Sequence, residues 1–226
     1  MQNTEQTRRY TRYRLVKKYV EGETKEERKH RKSLDKIVKL NQEQSYSDNP
    51  LIKDKNYILC LKHGTKYSAK YVNRLYNMIK RNCTIEYEFV CLTENSKDLH
   101  PDIKIIPLPG HLSGWWCKPY MFSKDLPLKG VVLYMDLDVV IADNIDKLFT
   151  WQPDHWCTLR DFTRAMRPKW HKYNSSIVRY RVGELDFVWT EYEKDRINIE
   201  KRLHGDQDWL YEVTHKKKGA MLYPDS

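Results

Sequence analysis

Residues Val131-Val132-Leu133-Tyr134-Met135 form an unbroken apolar run that stops at two carboxylates, Asp136 and Asp138. A run without a polar position suits neither a half-exposed helix nor an edge strand. At this length it reads as a strand covered on both faces. Such a strand needs helices above and below it, so the chain must supply strands and helices in alternation. It does. Tyr57-Ile58-Leu59-Cys60-Leu61 is a second short apolar run, bounded by Lys62-His63-Gly64-Thr65. Tyr71, Val72, Leu75, Met78 and Ile79 then recur at helical spacing and predict an amphipathic helix. Tyr87 to Leu92 and Ile103 to Ile106 read as further strands, Pro107, Pro109 and Gly110 break the chain, and Trp115 to Phe122 reads as helical. The pattern implies right-handed crossovers, a largely parallel α/β sheet with helices on both faces, and a ligand site beyond the carboxyl ends of the strands.

Composition narrows the functional classes. The chain has 226 residues, enough for a sizeable core, and its 41 Lys and Arg against 31 Asp and Glu give a net charge of +10. That excess is uneven. Residues 1–50 hold 13 Lys and Arg against 8 Asp and Glu, and so carry half of it. Residues 1–54 read as a basic, helical or partly disordered arm, with Tyr13, Val16 and Val20 and then Leu34, Ile37 and Val38 at helical spacing. An acidic partner is the expectation for this arm. No basic-aromatic motif of a known nucleic-acid module accompanies it, although a nucleic-acid binder would show steeply salt-dependent binding through these residues. Residues 55–226 form the expected main domain. No apolar stretch reaches the ~18 residues of a membrane span, and Met1 to Arg14 is too polar for a secretory signal. The five cysteines, at 60, 83, 91, 117 and 157, include no Cys-x-x-Cys pair. They read as reduced core thiols, and the expected location is cytoplasmic.

Asp136-Leu137-Asp138 is the strongest candidate for chemistry. With 17 Asp in the chain, about one Asp-x-Asp is expected by chance, and a second one is present, Asp206-Gln207-Asp208. Context separates the first from noise. It ends a fully apolar run and precedes Val139-Val140-Ile141, so in extended structure both carboxylates would share a face at the mouth of a central strand. A hard divalent cation would offset their repulsion and leave positions open for phosphate oxygens. The other reading is a solvated turn, with Asp143 capping the helix that runs into Leu148.

With these residues in view, 56–226 resembles a GT-A-type nucleotide-sugar glycosyltransferase. The nearest flavour is the glycogenin-like and bacterial galactosyltransferase-like group, with its uncharacterised bacterial and viral relatives. The blocks that carry the resemblance follow in the family's order: Tyr57 to Tyr67 with Tyr71 to Tyr76, Phe89 to Glu94, Gly114 to Phe122, Leu133 to Ile141, Tyr173 to Ser176, and His204 to Leu210. The resemblance implies a GT-A Rossmann-like fold. It also implies transfer of a hexosyl group with retention, from a nucleotide-diphosphate sugar, a UDP-sugar being expected, to an acceptor hydroxyl. Asp136 and Asp138 match the metal-binding pair, implying Mn²⁺ or Mg²⁺. His63, Gly64 and Thr65 match the loop that contacts base and ribose. Lys118 matches a basic residue near the donor phosphates. Asn174 and Ser175 match the element beside donor sugar and acceptor. Asp206 and Gln207, with Asn174, match the residues next to the reacting carbon.

Read without the resemblance, several of these positions have ordinary alternatives. Lys118 would be a surface lysine, Asp206 the N-cap of a helix through Leu210, and His63 and His204 plain polar histidines. Trp115 and Trp116 are either core or platforms for sugar rings. Two departures from the family stand out. Ser176 replaces a usual glycine, which restricts the backbone. The chain also ends at Leu222-Tyr223-Pro224-Asp225-Ser226, where relatives commonly continue and supply a third metal ligand, often His. His215 lies too early by pattern to fill that role, so the expectation is a domain cut short at its C-terminus. Two other functions remain open on sequence. One is a sugar nucleotidyltransferase, disfavoured by the single glycine of Lys62 to Lys66. The other is a non-catalytic sugar-nucleotide-binding or structural protein that retains the fold.

Overall fold

Seven strands make one sheet in the order β3-β2-β1-β4-β6-β5-β7, seen in a computed structural model that describes residues 55–161 and 173–224. The arm expected over residues 1–54 lies outside the described residues, as do Asp225 and Ser226. Strands β1 (Asn56–Lys62), β2 (Glu88–Thr93), β3 (Lys104–Ile106) and β4 (Val131–Met135) follow the apolar runs closely. They pair in parallel, β1 between β2 and β4. Strand β6 (Tyr173–Arg181) runs antiparallel between β4 and β5 (Cys157–Arg160), and β7 (Met221–Leu222) closes the edge parallel to β5.

Period-two alternation divides the core into two layers. Ile58 and Cys60 of β1, with Val131, Leu133 and Met135 of β4, pack on one face. There they meet Val72, Leu75, Tyr76 and Ile79 of helix α1 (Ala69–Asn82) and Phe149 of the short helix α2 (Asp146–Thr150). The spacing of those four α1 residues makes a single stripe, and Lys80 and Arg81 in its last turn suit the negative end of the helix dipole. Tyr57, Leu59, Val132 and Tyr134 point to the other face. That face is covered by a 3₁₀ segment (Gly114–Phe122), helix α3 (Asp186–Arg202) and helix α4 (Asp206–Thr214). The 3₁₀ form agrees with Pro119 inside the segment, since proline cannot donate to an α-helical ladder. All five cysteines are free, and Cys60, Cys91 and Cys157 sit fully buried in β1, β2 and β5.

Two devices outside the motifs hold the frame. Arg179 of β6 is buried with its guanidinium 2.6, 2.6 and 2.5 Å from the carbonyl oxygens of Phe149, Gln152 and His155. It thereby fixes the loop that leads from α2 into β5. Gly130, just before β4, has φ +123°, and a Cβ there would lie 2.1 Å from the carbonyl oxygen of Lys55. The same junction carries the Val131 N–H to Lys55 and the Val182 N–H to Gly130 bonds, 3.1 and 3.0 Å. The clash is with backbone and the φ disfavours any side chain, so Gly130→Ala should lower stability by about 2–3 kcal/mol. Chemical denaturation would register this as a lower midpoint at unchanged slope.

Candidate active site

The carboxyl end of β4 delivers Asp136 to the sheet edge, where its N–H donates to Ser176 O at 2.9 Å. Beyond it the chain does not continue as a strand. Residues 137–138 form a turn closed by Val139 N–H to Asp136 O at 3.2 Å. The shared-face geometry expected of an extended Asp-x-Asp therefore does not apply, and the turn separates the roles of the two carboxylates. Asp136 points inward. Asp138 is exposed, and its Oδ2 accepts the Tyr67 hydroxyl at 2.9 Å. The second apolar run does not return to the core, since Val140 is 81% exposed. Asp143 accepts from the N–H of Asn144, and α2 begins at Asp146 with Ile145 as its N-cap, so Asp143 does not cap that helix.

Lys118, from the 3₁₀ segment, occupies the centre of the inward cluster. Its Nζ lies 3.0 and 3.2 Å from the two carboxylate oxygens of Asp136, 3.2 Å from Asp206 Oδ2 and 3.1 Å from Ser175 Oγ. An ammonium has three N–H donors, and three side chains receive them. The Ser175 hydroxyl in turn donates to Asp206 Oδ2 at 2.8 Å, and the Ser175 N–H donates to Gln207 Oε1 at 3.0 Å. Tyr134, two residues before Asp136 and on the same strand face, donates its hydroxyl to Asp136 Oδ1 at 2.6 Å. Burial first, and the neighbouring carboxylate second, push the Tyr134 hydroxyl well above its usual range, so it stays a donor.

A bulge aims β6 at this cluster. Against β5 the register runs Thr158 to Val178 and then Leu159 to Asn174, so residues 175–177 have no paired residue on β5. Thr158 Oγ1 fills the gap, 2.8 and 3.0 Å from the carbonyl oxygens of Asn174 and Ile177. Asn174 Oδ1 accepts the Ser176 N–H at 3.0 Å. Bulges of this kind redirect side chains beside functional sites. Ser176 does not take the left-handed conformation that would demand glycine. Asp206 is the first residue of α4 and Gly205 is the cap, so its carboxylate serves Lys118 and Ser175, not the helix end.

The predicted residues thus divide. Lys118, Asp136, Ser175, Asp206 and Gln207 converge, and Asn174 supports them through its backbone turn. His63, Gly64 and Thr65 stand at the end of β1, at the same edge of the sheet. Gly64, at φ +64°, donates its N–H to Glu94 Oε1 at 2.7 Å, and His63 Nδ1 accepts from Gly114 N at 3.3 Å. His215 follows the last residue of α4, ~13 Å along the helix from Asp206, and stacks on Tyr211 at 4.7 Å. Tyr134, Tyr67 and Glu94 lie within the blocks that carry the resemblance, but the sequence assigns them no role. Period-two spacing from Asp136 would have found Tyr134, whereas nothing in the local sequence marks the other two.

No protein-family model matches the sequence, and no curated protein matches it. Solved structures do match its shape. Two crystal structures of the glycosyltransferase GlyE of Streptococcus pneumoniae TIGR4, one in its apo form, superpose with TM-scores of 0.50 and 0.51 at 13% and 10% identity. Each match covers 74% of this chain and 45% or 46% of the other. The apo structure of WbbM, a bifunctional glycosyltransferase, matches at TM-score 0.50 and 13% identity, over 76% of this chain and 39% of that one. The chain therefore spans less than half the length of these structures. The likeness establishes the architecture, a mixed α/β, Rossmann-like sheet of the GT-A type.

Burial works against the charge on Lys118, but Asp206 and Asp136 together outweigh it and raise its pKa above the ordinary 10.5. A raised lysine contributes its full stabilisation below the unfolded value and loses it only as pH climbs through the folded one. The ammonium is therefore fixed across the neutral range. In a lysine-selective NMR titration, Lys118 should titrate above 10.5, and a midpoint at or below that value would contradict the cluster.

Proposed function

We propose that this chain is a glycosyltransferase that moves a sugar, a hexosyl group with retention, from a nucleotide-diphosphate sugar, a UDP-sugar, to an acceptor hydroxyl. The observation that carries the reading is the Lys118 ammonium held between Asp136 at the end of β4 and Asp206 at the start of α4. Carboxylates and a fixed cation at the carboxyl edge of parallel strands are placed where α/β sheets bind ligands.

Charge guides the roles. One ammonium faces two carboxylates in the cluster, and the exposed Asp138 adds a further negative charge. A diphosphate entering such a site needs more positive charge than Lys118 supplies. Among the described residues no group of three His, Cys, Asp or Glu side chains is arranged to hold a metal ion. Two carboxylates nevertheless suit Mg²⁺ or Mn²⁺, ions that complete their shell with water and substrate phosphate oxygens. Asp136 would hold that ion, with Asp138 joining once its carboxylate leaves Tyr67 and turns toward Asp136, and the bound ion would neutralise charge on the departing diphosphate. His63, Gly64 and Thr65 would meet base and ribose. Lys118 would turn one of its three N–H donors from a side chain to a donor oxygen without changing its protonation. Ser175, fixed by Gln207 through its N–H and by Asp206 through its hydroxyl, would orient the transferred sugar with Asn174. Asp206 would hold the acceptor side of the reacting carbon. Five free thiols support a cytoplasmic setting.

The test is turnover of a panel of UDP-sugars with Mn²⁺, read by mass spectrometry as hydrolysis or transfer. Asp136→Ala and Lys118→Met should each lose about 100-fold or more, the scale of removing one pre-organised electrostatic group. Equal turnover by wild type and Asp136→Ala would overturn the metal and donor role. Donor binding without turnover by wild type would identify a non-catalytic sugar-nucleotide binder instead.

A further inference from the structure

We propose that the indole of Trp115, with the imidazole of His204 beside it, is a stacking subsite for a saccharide ring of the acceptor. This rests on the glycosyltransferase reading above and names the acceptor class that it leaves open. Trp115 and Trp116 are adjacent in sequence but have opposite surroundings. Trp116 stacks on Tyr192, with ring centroids 5.7 Å apart and planes 10° from parallel, and joins the core. Trp115 is turned outward and is 56% exposed, the most exposed aromatic side chain among the described residues. Exposure alone would be ordinary for a single surface aromatic; what sets this one apart is its place against the backbone that leads into Asp206.

Its position is fixed on both sides. The residue before it, Gly114, donates its N–H to His63 Nδ1 at 3.3 Å. On the other side, a Cβ placed on Gly205 would lie 3.5 Å from the indole Nε1 and 3.6 Å from Cδ1. The edge of the ring therefore covers the backbone that leads directly into Asp206 and Gln207. His204 lies 6.3 Å away between ring centroids, and its N–H is held by Asp208 Oδ2 at 3.0 Å. Three residues further along the 3₁₀ segment stands Lys118. An exposed indole beside an imidazole matches the chemistry of a pyranose. The ring offers a C–H face to stack and a rim of hydroxyls to hydrogen-bond. A nucleobase also stacks on indole. The saccharide is favoured because the indole itself lies against Gly205, at the entry to Asp206, whereas only the preceding residue, Gly114, touches the His63 loop proposed for base and ribose.

Saturation-transfer difference NMR on the full chain with Mg²⁺ present tests this, with UDP and the methyl glycosides of glucose, galactose and N-acetylglucosamine as separate probes. At least one glycoside should receive saturation from wild type. Trp115→Ala should weaken that glycoside about tenfold, the scale of one aromatic stacking contact. Trp115→Phe should keep most of the binding, which also controls for folding, and UDP should bind both variants as it binds wild type. Glycoside binding unaffected by Trp115→Ala, or absent in wild type, would overturn the subsite. Loss of UDP binding in Trp115→Ala would overturn it too, by assigning the indole to the base. Failure of UDP to bind wild type would instead overturn the nucleotide-sugar reading, whatever the glycosides do.

Discussion

The ion pair between Lys118 and its two carboxylates is the contact on which the site depends. Lys118 stands 18 residues before Asp136 and 57 before Ser175. The chain brings these together only because β4 and β6 are sheet neighbours and the 3₁₀ segment and α4 cover the same face. The ammonium and its two carboxylates are largely buried, and removing any one of them would leave a costly unpaired charge. The cluster therefore ties four elements to one point. Its register is set by β4 on one side and by the β6 bulge on the other.

Much of the frame was legible in the residues. The apolar runs that begin at Tyr57, Tyr87, Ile103 and Val131 all contain strands, because a run without a polar position lies best between two covered faces. Helix α1 followed from the stripe at Val72, Leu75 and Ile79. Asp136 stood out for the same reason, as a carboxylate at the end of such a run. The limits came where geometry depends on distant partners. Val139 to Ile141 looks like a continuing strand, but among the described residues no strand pairs with it; the chain turns after Asp136 and Asp138 faces outward to Tyr67. Local sequence cannot tell Trp115 from Trp116, since the packing of Trp116 against the core involves Tyr192, far along the chain. The bulge that aims Ser175 is equally silent in sequence, because it arises from a mismatch with β5 that Thr158 repairs.

The net charge of +10 takes on a different meaning beside this site. The active-site candidate is locally acidic, with carboxylates outnumbering the one ammonium at its centre. The basic excess of the chain therefore says little about its ligand. Charge balance within a few ångströms matters more than the total, and it calls for a cation to accompany an anionic donor.

Calorimetric titration of UDP into the full chain, with and without Mn²⁺, tests the donor site most directly. Saturable binding that strengthens about tenfold or more when the ion is present, and that Lys118→Met abolishes, is the expected result. No heat of binding at millimolar UDP in the presence of Mn²⁺ would contradict it.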